Sequence, residues 1–122
     1  MINQINVGVI GTGWCGGIRA NACADNPLVD KLYIAETNSN RLKELKNSLN
    51  IEMATENWQE LVNNKNIDTI IISATPETTH YPMALAALKA GKNVFLEKPI
   101  ATTLKEAEEL IDVSIKNNVK FT

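Results

Sequence analysis

Residues 11–16 read Gly11-Thr12-Gly13-Trp14-Cys15-Gly16, a G-x-G-x-x-G spacing suited to holding a phosphate on backbone amides. Gly11 permits a tight turn, Gly13 lets a pyrophosphate approach the main chain, and Gly16 lets the following helix pack closely on the preceding strand. The helix N-terminus then adds free N–H groups and the positive end of its dipole. Glu36 stands twenty residues beyond Gly16, where a carboxylate can accept hydrogen bonds from an adenosine ribose diol. The plainer alternative is a pair of turns beside an exposed acid. A methyltransferase also carries a glycine loop followed by an acid, so these residues alone leave the ligand open.

Two later segments add chemistry. Ala74-Thr75-Pro76 leads to His80, and Phe95-Leu96-Glu97-Lys98-Pro99-Ile100 carries an acid and a base side by side. Pro99 restrains Lys98 to an extended backbone, and the sequence leaves the cis or trans state of that bond open. Lys98 reads either as a solvated lysine before a turn or as a cation that polarises a hydroxyl. His80 is the sole histidine; at a helix start it reads as a structural hydrogen-bonding group rather than as a catalytic base. Cys15 and Cys23 fall on one helix about 12 Å apart, too far for a bridge, and read as packing residues.

These groups need a scaffold, and the chain supplies strands alternating with helices. Ile5, Val7, Val9 and Ile10 form a first strand ending at Gly11, and Cys15, Ile18 and Ala22 mark a helix stopped by Asn26-Pro27. Leu32 to Ala35 is a second strand, followed by Leu42, Leu45 and Leu49 at helical spacing. Ile51 to Ala54 reads as a short edge strand, with Thr55 capping a brief helix through Trp58, Leu61 and Val62. Asp68 to Ser73 is apolar without alternation, the pattern of a parallel strand buried on both faces. Tyr81, Ala84, Leu85 and Leu88 form a helical face ending at Gly91, and Asn93 to Leu96 is the next strand. Thr103 and Glu106 fit a capping box, with Leu104, Ala107, Ile111 and Ile115 as the buried face behind it. Val119 to Phe121 begins a last strand. The expected fold is a single α/β domain over residues 1–122, a doubly wound, mostly parallel sheet of order 3-2-1-4-5-6 with its ligand crevice at the strands' carboxyl ends.

The composition bounds the partners. With 122 residues, 44% hydrophobic, and a formal charge of −2, the chain suits one globular domain and offers no basic footprint for nucleic acid or an anionic membrane. Its apolar runs fall short of the roughly 20 residues needed to span a bilayer. The N-terminus lacks the charged start and apolar run of a signal peptide, so a cytoplasmic location is expected.

The glycine loop GTGWCG, the segment IDTIIISATPETTH, the run ALAALKAGKNVFLEKPIATT and the helix start LKEAEEL together resemble the glucose-fructose oxidoreductase / inositol dehydrogenase (Gfo/Idh/MocA) family over nearly the whole chain. The resemblance implies a Rossmann domain that binds NAD or NADP, with Thr75 and Pro76 on the nicotinamide half and Glu97 with Lys98 at the hydride-transfer site. In that family the lysine matching Lys98 hydrogen-bonds the substrate hydroxyl and the cofactor ribose, which suits oxidation of a sugar or polyol. The candidate cofactor-binding set is Gly11, Thr12, Gly13, Trp14, Cys15, Gly16, Glu36, Thr37, Arg41, Ala74, Thr75, Pro76, His80, Glu97 and Lys98, with Lys98 the catalytic candidate and no metal expected. Glu36 favours NAD over NADP, and Arg41 is expected too far into its helix to offset that, though within stacking reach of adenine.

Family members carry a second, substrate-binding domain that this chain lacks, so the expectation is a cofactor-binding half, inactive alone. The proton acceptor and the family's oligomer interface would lie in that missing half, and an apolar surface left open would favour a homo-oligomer. The alternative is a stand-alone NAD-binding sensor or interaction module; reading the parent gene past Thr122 separates the two.

Overall fold

The computed structural model describes residues 3–122, and its five strands form one parallel sheet ordered β3-β2-β1-β4-β5. The strands are β1 (Ile5–Ile10), β2 (Val29–Ala35), β3 (Met53–Thr55), β4 (Thr69–Ile72) and β5 (Asn93–Leu96). Helices α1 (Trp14–Asp25), α2 (Ser39–Ser48), α3 (Trp58–Val62) and α4 (His80–Lys89) make the crossovers, and α5 (Leu104–Lys116) follows β5. Parallel neighbours cannot be joined by a tight turn, so each pair takes a helix. The chain order reverses at β1, which has β2 on one side and β4 on the other. Such a switch point leaves a crevice beyond the strands' carboxyl ends, because successive crossovers depart to opposite sides.

Both sheet faces are covered, which accounts for apolar strands without alternation. Val7, Val9, Leu32 and Ile34 pack with Ala20 of α1 and Leu45 of α2 on one face. Ile10, Tyr33, Ile70, Ile72 and Val94 pack with Leu61, Ala84, Leu88 and Leu110 from α3, α4 and α5 on the other. Val9, Ile34, Ile70 and Ile72 are fully buried, each such side chain contributing about 1.5–3 kcal/mol. Helix α4 ends before Gly91, whose φ of +78° is open to glycine at little cost.

Five local expectations are corrected. Val119 to Phe121 does not build a full sixth strand: Phe121 makes one isolated parallel bridge to Val94, with Lys120 and Thr122 bonded to the edge of β5. The third strand is shifted to Met53–Thr55, and the cap of α3 is Asn57 rather than Thr55, whose hydroxyl instead accepts from the Asn57 N–H at 3.0 Å. Helix α1 turns Gly16, Gly17 and Ala20 inward, because only the smallest residues fit where it crosses the glycine loop, and this rotation leaves Ile18 outside, 56% exposed.

The fifth correction concerns α5. Thr103 caps it as expected, accepting from the Glu106 N–H at 3.2 Å, but the Glu106 carboxylate takes its bond from the Thr102 hydroxyl. Leu110 and Ser114 form its buried face, while Leu104 and Ile115 are 76% and 72% exposed. Leu104, Ile111 and Ile115 therefore lie on the outer side of the helix, and the apolar spacing in this segment marks two faces rather than one.

Candidate functional site

The carboxyl ends of the strands open onto a cleft of about 1020 Å³. Every candidate residue lines it except Gly16 and Pro76. Gly16 lies beneath the loop, and the Pro76 carbonyl closes a single 3-10 turn (Glu77–Thr79), accepting from the Thr79 N–H and hydroxyl at 3.0 and 2.7 Å. The peptide bonds before Pro76 and Pro99 are both cis.

The three loop glycines serve different ends. Gly11 has φ of +82°, and a Cβ there would lie 2.6 Å from the Ala74 Cα; a Cβ on Gly16 would overlap the Gly11 carbonyl oxygen. Those two allow the loop, α1 and β4 to close on one another. A Cβ on Gly13 would meet nothing within 4 Å, so its missing side chain leaves open cleft. Gly13 is also the N-cap of α1, with no side-chain cap bond and no acid in the first turn. The free amides and dipole of that turn face the cleft without a competing carboxylate, which fits the phosphates of a dinucleotide.

Glu36 leaves β2 and reaches back to this loop. Its Oε2 accepts from the Thr12 N–H at 2.8 Å and from the Thr12 hydroxyl at 2.5 Å, and its Oε1 accepts from the Asn38 N–H at 2.9 Å. Partial burial pushes its pKa up, but the bonds from Thr12 and Asn38 together with the Arg41 charge outweigh it and hold the carboxyl below its usual range. Arg41, in the first turn of α2, reaches the glycine loop, contrary to the expectation that it lies too far into the helix. Its Nε donates to the Thr12 carbonyl at 3.1 Å, and its guanidinium lies over Gly17, where a Cβ would sit 2.7 Å from one of its terminal nitrogens. Thr37 flanks Glu36 at the cleft rim.

The far side of the cleft is formed where β4 and β5 end. Glu97 Oε1 accepts from the Lys98 N–H at 3.1 Å, and its other oxygen pairs with Arg19 of α1 at 2.7 Å. The Arg19 guanidinium also sits 5.1 Å from the centre of the Phe95 ring, so α1 is tied to the end of β5. Glu97 thereby faces Arg19 and holds the backbone of Lys98, whose own side chain is exposed at the cleft. His80 is 2% exposed; its Nδ1 lies 2.8 Å from the Pro99 carbonyl and its Nε2 2.9 Å from the Ala74 carbonyl.

Sequence reasoning missed three contributors. Gly17 is a fourth glycine beside the motif, visible in the sequence but outside its pattern. Arg19 carries no local signal, because its partner Glu97 is remote in sequence. Ser73 directly follows β4 with a buried hydroxyl that has no hydrogen-bond partner and lines the cleft; a polar residue just after an apolar strand is the signal that could have found it. Among the described residues no group of three or more His, Cys, Asp or Glu side chains could hold a metal ion, and no helix is long and apolar enough to cross a membrane.

The chain is 32% identical over 118 residues to a myo-inositol 2-dehydrogenase of Thermotoga maritima, covering 94% of this chain and 34% of that protein. It is 31% identical over 126 residues to a levoglucosan dehydrogenase of Pseudarthrobacter phenanthrenivorans, covering 97% and 32%. Among solved structures, the apo scyllo-inositol dehydrogenase of Lactobacillus casei superposes with a TM-score of 0.90 at 28% identity, covering all of this chain and 36% of that one. The chain thus spans about a third of the length of these relatives. Residues 5–122 match the oxidoreductase family with NAD-binding Rossmann fold, and the chain belongs to that family, the glucose-fructose oxidoreductase / inositol dehydrogenase group of NAD-binding domains.

Proposed function

We propose that this chain is the cofactor-binding half of a dehydrogenase that transfers a hydride between NAD and a ring hydroxyl of a sugar or cyclitol. The observation that carries the reading is the convergence on one cleft of a phosphate-ready helix N-terminus, the Glu36 carboxylate and the Lys98 ammonium group. NAD supplies the hydride acceptor when bound. The first turn of α1 receives the pyrophosphate, Glu36 meets the adenosine ribose, and Thr75 with Lys98 flanks the reacting end. Lys98 donates to the substrate hydroxyl and stabilises the negative charge that grows on oxygen as its proton leaves. Glu97 serves this by fixing the Lys98 backbone.

The names of the relatives favour a cyclitol or anhydrosugar ring over an open-chain alcohol. Their greater length supports a substrate pocket and proton acceptor supplied by residues outside these 122, so the chain alone should turn over no alcohol. NAD is preferred over NADP, because a 2′-phosphate would be set against the Glu36 carboxylate, while the Arg41 Nε is held by the Thr12 carbonyl. Calorimetric titration of both cofactors tests this: tighter NAD binding, with the gap narrowed by Glu36→Ala, supports it, and equal or tighter NADP binding overturns it. NADH formation with a panel of inositols and anhydrosugars, measured with a substrate-binding domain present, tests the substrate class.

A further inference from the structure

The His80 ring stands between two main-chain carbonyls and contacts both, Pro99 at Nδ1 and Ala74 at Nε2. Carbonyl oxygens only accept, so any hydrogen bond here is donated by a ring N–H. The two carbonyls belong to different loops. Ala74 precedes Thr75 on the loop leaving β4, and Pro99 follows Lys98 on the loop leaving β5. One buried side chain at the start of α4 thus spans the exits of two adjacent strands, and its polar atoms are turned to the protein rather than to the cleft.

We infer that His80 is a positioning residue that fixes the separation of Thr75 and Lys98, setting the width of the nicotinamide end of the site before any ligand arrives. This rests on the reading above that the nicotinamide lies between those two residues. Adjacent parallel strands are held together by their ladder, but β4 and β5 pair only as far as Ile72 and Leu96, and the next ladder bond, from the Glu97 N–H to the Ile72 carbonyl at 2.9 Å, precedes both Thr75 and Lys98. Beyond it the His80 ring provides a bridge between the loops, placed where a small change in spacing alters which ligand atoms both loops can touch. The adenosine end, built by Thr12, Glu36 and Arg41 on the other side of the switch point, does not involve this bridge.

That separation gives the test. NADH and ADP-ribose are titrated into the wild-type chain and into His80→Gln, a neutral variant of similar reach, and His80→Phe, which keeps a ring but has no donor. Both variants should lose about tenfold or more in NADH affinity, the scale of a small misplacement of binding groups, while ADP-ribose affinity changes less than about twofold. Amide hydrogen exchange without ligand should quicken in residues 75–78 and 97–101 together and stay unchanged in β1. Equal loss of both ligands, or faster exchange throughout the sheet, would reduce His80 to a general stabiliser and overturn the inference. Unchanged NADH affinity in both variants overturns it as well. If wild type binds NADH no more tightly than ADP-ribose, the placement of the nicotinamide between Thr75 and Lys98 fails first and takes the inference with it.

Discussion

Glu36 and Thr12 are joined twice, one carboxylate oxygen accepting both the backbone N–H and the hydroxyl of the threonine. With the Asn38 N–H on the other oxygen, three of roughly four lone-pair positions of the carboxylate are filled before any ligand binds. Glu36 therefore pins the glycine loop to the β2–α2 turn, and a ribose diol accepted at both hydroxyls must share or displace one of these bonds. The residue proposed to meet the nucleoside is thus also part of what shapes the loop.

A pH dependence follows from this pairing. The folded state holds the Glu36 carboxyl below its usual range, so the native state binds fewer protons there than the unfolded chain. Its contribution to stability is fully present above the ordinary glutamate pKa and is lost as pH falls through the lower folded value. Unfolding free energies of wild type and Glu36→Gln, measured by urea titration across the acid range, should differ most near neutrality and converge as pH falls below the ordinary glutamate range. A difference that does not shrink in acid would show that the charge of Glu36 is not what holds the loop.

The glycines separate folding from binding. Gly16→Ala forces a Cβ onto the Gly11 carbonyl oxygen, whereas Gly13→Ala meets no protein atom. Thermal unfolding should show Gly16→Ala destabilised by about 2 kcal/mol or more, the scale of overpacking against a fixed backbone, with Gly13→Ala close to wild type. NAD affinity should fall in both, and in Gly13→Ala alone it falls without loss of stability.

Much of this arrangement was legible because it is local. The glycine loop follows a strand and opens a helix, and Glu36 follows the next strand, so spacing along the chain fixes their shared position at the strand ends. The run from Ala84 to Thr103 stands out for its Glu97-Lys98-Pro99, yet its Lys92 is structural, with Nζ donating to the Asn64 and Ile67 carbonyls at 2.6 and 2.8 Å. Arg19 and Glu97 meet across the end of the sheet, and no periodicity reports a contact between residues so far apart in sequence. The inward face of α1 was misjudged because its packing residues are glycines and an alanine, which carry little hydrophobic signal.

Helix α5 failed for the opposite reason, having apolar residues on two sides. Leu110 is fully buried and Leu104 is 76% exposed. Leu110→Ala should cost about 2–5 kcal/mol, the range for a buried leucine, and Leu104→Ala under about 0.5 kcal/mol, as for a surface position. Chemical denaturation of the two variants decides between this orientation and the one suggested by the spacing of Leu104, Ile111 and Ile115.

Lys98 is where a functional and a plain reading differ most, and one substitution, assayed with a substrate-binding domain present, divides them. Lys98→Met keeps much of the side-chain volume and removes the charge. If the ammonium group donates to the reacting hydroxyl, its contribution grows as negative charge develops on oxygen, so it favours the transition state over the bound substrate. Turnover at saturating cofactor and substrate should then fall by roughly two to four orders of magnitude, while NAD affinity changes little. An exposed lysine with no such role would leave turnover nearly unchanged. Loss of NAD affinity with turnover preserved at saturation would assign Lys98 to the cofactor ribose instead. Measuring kcat together with the NAD dissociation constant separates the three outcomes, because a contact made only in the transition state lowers the rate even when both ligands are bound.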